Sequence, residues 1–94
     1  MKAWELLDEP KKWTRWELAR DFDGIHVSPN SPKAVCWCIE GAVEKCYGRD
    51  EERKSLIRRS IRNKTRTTQF LHEWNDAPQT TFEKVHAVLK ELDI

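Results

Sequence analysis

Three cysteines and three histidines are the side chains with the most chemical potential in this 94-residue sequence: Cys36, Cys38, Cys46, His26, His72 and His86. Their spacing does not suit a metal. On a helix Cys36 and Cys38 point about 160° apart, and Cys38 and Cys46 are separated by about 12 Å of rise. One tetrahedral zinc, with Zn–S bonds near 2.3 Å, cannot be shared by either pair. No metal and no cofactor are expected. A thiol nucleophile needs a lowered pKa and a base within reach. Cys36 is the best candidate, with His72 or His86 as base and Asp76 to orient it; Cys38 falls in an apolar stripe and reads as inert. There is no glycine-rich phosphate loop and no serine elbow. The balance leans away from an enzyme.

Charge is the stronger signal. The net charge is +1, but it is unevenly spread. Residues 1–48 carry seven Lys/Arg and eight Asp/Glu, residues 49–66 eight and three, residues 67–94 two and five. The middle block is therefore basic, and Arg53, Arg58, Arg59, Arg62, Lys64 and Arg66 form a candidate interaction surface on a helix that Asp50 caps. Phosphate contacts would use the same residues, yet no helix-turn-helix, ribbon or finger frames them. The acidic last segment offers another outlet, neutralising this helix within the fold or across a homodimer. Arg and Trp dominate interface hot spots, so Trp37 or Trp16 is expected to extend the face. A second candidate is a polar pocket floored by Trp74-Asn75-Asp76 and flanked by Arg20 and Trp37. The plainer reading of those three residues is a turn that joins two helices, with Asn75 left-handed.

The elements that position these groups follow from periodicity. Ser31 as N-cap, Pro32 at N1 and Gly48 as a left-handed closing residue delimit a central helix. Its stripe is Val35, Cys38, Ile39, Ala42, Val43 and Cys46. Gly41 leaves a flat spot for a ring or a neighbouring backbone. Trp4 and Leu7 anchor a short amphipathic segment that Pro10 ends. Trp16, Leu18 and Arg20 alternate with Glu17, Ala19 and Asp21 as in a strand. Asp21-Phe22-Asp23-Gly24 offers a turn and Ile25–Val27 a return strand, although Trp13–Arg20 also admits a helix. Leu56, Ile57 and Ile61 are the expected buried face of the basic helix, with Asn63–Thr67 a loop after it. Thr68 caps a short helix bearing Phe70, Leu71 and Trp74. Thr80 with Glu83 forms a capping box, and the last helix buries Phe82, Val85, Leu89 and Leu92. The expectation is a mainly α fold: a compact bundle of about four helices around a central buried helix, with one small β-hairpin near the N-terminus, in a single domain spanning residues 1–94.

The order of motifs resembles a family of small actinobacterial and phage proteins known only as a domain of unknown function. The resemblance rests on Trp13 with Ala19-Arg20-Asp21 and Gly24, on Trp37-Cys38-Ile39-Glu40-Gly41-Ala42, and on Trp74-Asn75-Asp76 before Thr80 or Thr81. It implies the fold and a bacterial or bacteriophage source, and no activity. The odd number of cysteines and the absence of a leader or a long apolar run suggest reduced thiols in a cytoplasmic protein without membrane contact. The leading expectation is a non-enzymatic protein-interaction module that engages an unidentified host or phage protein. A nucleic-acid binder using helix 50–66 and a small thiol-dependent enzyme are the alternatives.

Overall fold

The central helix begins at Cys38, seven residues later than its sequence signal. The computed structural model describes residues 1–94. In it Ser31 closes a single turn instead: Ala34 N–H donates to the Ser31 carbonyl and Lys33 N–H to its hydroxyl. The aromatic and thiol residues that follow are drawn into a strand, β2 (Cys36–Trp37), which pairs antiparallel with β1 (Ala19–Arg20). Trp37 also bridges in parallel to Trp13. Long-range pairing overrides the local helix start. Helix α2 (Ile39–Tyr47) then takes Cys38 as its N-cap, the thiol accepting from Gly41 N–H at 3.3 Å. Val35 lies outside the helix and is exposed. Gly48 ends it in the right-handed region rather than the expected left-handed one.

Centrality survives these shifts. α2 packs against α1 (Ala3–Leu6), α3 (Glu51–Thr65), α4 (Leu71–Asp76) and β2. Ile39, Ala42 and Val43 are fully buried, in one cluster with Leu7, Ile61, Leu71, Val85 and Leu89. Gly41 is the flat spot: a Cβ there would collide with the Leu18 carbonyl of the strand segment above it. The last helix, α5 (Phe82–Glu91), closes the bundle against α1 and α3.

The hairpin turn is where the sequence places it. Gly24 has φ +80° and its N–H donates to the Asp21 carbonyl; the Asp21 carboxylate accepts from Asp23 N–H and Ile25 N–H. Arg20 bridges antiparallel to His26.

Four further expectations change. α3 runs to Thr65, absorbing Asn63–Thr65, and Leu56 is exposed because Ile57, Ile61 and Lys54 hold the inward face. Phe70, not Thr68, precedes α4, with Glu73 accepting from its backbone N–H. Thr81 caps α5 by accepting from Lys84 N–H, so Glu83 is not at N3; Thr80 is buried, and its carbonyl is taken by the Arg15 guanidinium.

Candidate functional site

Asn75 ties the sheet segments to the helices. It sits within α4, not in a left-handed turn, and is fully buried. Its Oδ1 accepts from Trp13 Nε1 at 2.7 Å and from Ile39 N–H at 2.9 Å; its Nδ2 donates to the Thr14 carbonyl and to Asp76 Oδ1, each at 3.0 Å. Every polar atom of this amide is used, so it joins segments and leaves nothing for a ligand. Arg20 works similarly on the other side of the loop. Its Nε donates to Thr14 Oγ1, and its Nη atoms to the carbonyls of Gly24 and Arg15. Trp37 is only 7% exposed, and its indole donates to the Pro29 carbonyl. Trp74 packs half-buried on the core. The five residues of the expected pocket therefore lie in one region, but Arg20, Trp37 and Asn75 brace it rather than line a cavity.

What this bracing holds out to solvent is Trp16. Its backbone has φ +75°, a region rarely occupied by a bulky side chain. Its N–H donates to Asp76 Oδ1 at 2.9 Å. The side chain nevertheless stays outside, and the residue is 70% exposed. Beneath it lies a cleft of about 190 Å³ lined by Trp16, Glu17, Leu18, Cys38, His72 and Asp76. Phe70, also exposed, stacks on His72 with ring centroids 5.8 Å apart. The sequence reading couples His72 with Asp76, but to Cys36 rather than Cys38, and it does not place Trp16, Glu17 or Leu18 beside them. The hydrogen bonds of Asn75 and Asp76 bring α4 to the strand segment, and no local pattern announces them.

The cleft, not Cys36, gathers a thiol, an imidazole and a carboxylate. Burial pushes the Cys38 thiol up to about 11, against the modest downward pull of the N–H groups of Gly41 and Glu40. At neutral pH it is a protonated helix cap, and no hydrogen bond joins it to His72. Cys36 is buried in β2 with its sulfur toward the Arg20 carbonyl. His86 packs between the rings of Trp4 and Phe82. No three His, Cys, Asp or Glu side chains converge as metal ligands.

Three basic side chains of this helix pair with acids, Lys54 and Arg58 with those of α2 and Lys64 with one of the last helix. Lys54 is 3% exposed and meets Glu44 at 2.8 Å and Glu51 at 2.9 Å. The Glu44 contact leads in holding its pKa above the ordinary lysine value. Arg58 binds Glu40 through Nε and Nη2, at 2.7 and 2.6 Å, which raises its pKa too. Arg53 covers the Tyr47 ring, and Lys64 reaches Glu91 at 3.0 Å. Arg59, Arg62 and Arg66 have no carboxylate partner. Arg66 closes α3 in the left-handed conformation.

A family of unknown function, DUF6197, matches residues 1–92. The chain belongs to that family. Its membership bears out the resemblance drawn from the Trp, Ala-Arg-Asp and Trp-Asn-Asp motifs, and the family's function is unknown. No curated protein and no solved structure matches the chain. No helix is long and apolar enough to cross a membrane.

Proposed function

We propose that this chain is a non-enzymatic protein-interaction module, an accessory protein of a bacterium or phage that engages a protein partner in the cytoplasm through the surface around Trp16. One observation carries the reading: a tryptophan held at φ +75° and yet 70% exposed. Backbone strain of this kind persists where the surrounding structure over-determines it, and it concentrates at binding and switching sites. Here Asp76, Asn75 and Arg20 supply the over-determination. Leu18 and Phe70 add apolar area beside the indole. The backbone that carries the indole is already fixed, so less freedom is lost on binding, which favours affinity.

Trp16→Gly separates display from stability. Glycine adopts positive φ without strain, so the unfolding free energy should hold or rise, by up to about 1 kcal/mol. Capture of a defined bacterial partner in a nuclease-treated pull-down should be lost with the same variant. Capture that survives in Trp16→Gly, or a variant that unfolds, would refute the assignment of this surface.

The second reading is nucleic-acid binding. It is favoured by Arg59 and Arg62 of α3 and its capping residue Arg66, none of which has a carboxylate partner, and it requires affinity that falls steeply with salt. Recovery that disappears with nuclease, and with Arg59→Glu/Arg62→Glu but not with Trp16→Gly, would select it.

A further inference from the structure

We infer that the cleft beside Trp16 receives an arginine side chain from the partner protein, an assignment that rests on the interaction surface proposed above and specifies its occupant. The cleft holds two carboxylates, Glu17 and Asp76, both half-buried, and no lysine or arginine lines it. Neither carboxylate takes part in an ion pair within the chain. Asp76 uses Oδ1 for the N–H groups of Trp16 and Asn75, which leaves Oδ2 free. The cleft therefore offers carboxylate oxygens that no cation of the chain occupies.

The positive end of α2 lies close by and does not supply that cation. Its first N–H groups are already taken, that of Ile39 by Asn75 and that of Gly41 by the Cys38 thiol. A metal ion is not served either, since no three ligating side chains converge.

The shape of the cleft selects among organic cations. Its wall is an exposed indole, and its 190 Å³ accommodates one long side chain. A guanidinium is planar, stacks on an aromatic face and donates in a fork to carboxylates; an ammonium does neither as well. Leu18 and the Phe70–His72 stack offer apolar contact to residues flanking the arginine. The partner segment is therefore an arginine set between apolar residues.

The test is a titration of the isotope-labelled full chain with acetyl-Leu-Arg-Leu-amide, followed by NMR at low and moderate salt. Matched peptides carry citrulline, the neutral isostere, or lysine. Saturable shifts at the Trp16 indole, Leu18 and His72 are expected. Citrulline should bind at least tenfold more weakly, lysine several-fold more weakly, and Glu17→Gln should weaken the arginine peptide at least threefold. Glu17 makes no hydrogen bond within the chain, so that variant keeps the fold. Equal shifts from citrulline, shifts confined to α3, or no saturation would overturn the assignment. So would concentration-dependent shifts of the same resonances without peptide, which would make a second copy of this chain the occupant. Loss of partner capture in Trp16→Gly, together with indifference to citrulline, would leave the interaction module standing and reject only the arginine.

Discussion

At the scale of single residues, Asn75 shows how one buried amide can replace an element of secondary structure. It stands in for the missing strand partner of Thr14, for the N-terminal partner of α2 and for the acceptor of an indole. Asn75→Ala would orphan buried donors on Trp13 and Ile39 and an acceptor on Thr14. Each orphaned group costs about 1–3 kcal/mol, some of it recovered by water. Urea denaturation should therefore place Asn75→Ala about 2–4 kcal/mol below the wild type. A loss within 0.5 kcal/mol would mean that the amide is dispensable. Nothing local in the sequence identifies this role. Trp74-Asn75-Asp76 reads as a turn because Asn and Asp favour turns, and the partners that keep Asn75 helical lie tens of residues upstream.

At the scale of elements, the clearest successes are local: the Asp21–Gly24 turn, the Asp50 cap of α3 and the inward row of Ile57 and Ile61. Local signals also misled at Thr68 and Thr80, where Phe70 and Thr81 precede the helices instead. Features fixed by distant partners were misread. Ser31-Pro32 has the chemistry of a helix start, but Cys36 and Trp37 are claimed by Ala19, Arg20 and Trp13 before a helix can include them. The basic stretch was recognised as a charged helix, while its pairing with Glu40 and Glu44 on α2 was not, because the acids precede it and were grouped with a nearly neutral half. Gly41 is an instructive success, since its flat spot is the seat of Leu18. Gly41→Ala gains helix propensity of about 1 kcal/mol but drives a methyl into a backbone carbonyl that β1 and β2 hold in place. The collision should win, with a net loss of about 1–3 kcal/mol and chemical-shift changes centred on Leu18. A stabilised variant would show that the strand segment can lift away freely.

At the scale of the whole molecule, the ends of the chain are clasped together. Trp4 N–H donates to the Ile94 carbonyl at 3.0 Å, and Lys2 meets Asp93 at 2.6 Å. The Lys2 hydrogen bond and charge hold the Asp93 carboxyl below its ordinary value. A carboxyl depressed in the folded state stabilises fully above its unfolded pKa of 3.8, and that contribution is lost as pH falls through the lower folded value. Protection of the Trp4 amide against hydrogen exchange should therefore decline below pH 3.8 sooner than that of core amides in α2. Lys2→Met should abolish this difference in timing; an unchanged pH profile would detach the clasp from the ion pair. The joint at Asn75 has a consequence of another kind, for the order in which the chain is made. Synthesis runs from the N-terminus, so Trp13, β1, β2, α2 and α3 are all complete before Asn75 is added. Until then α2 lacks the acceptor for its first N–H and the Trp13 indole has no partner. The nascent chain thus keeps its tryptophan-rich half open while it is being extended, and the arrival of α4 is the event that seals it.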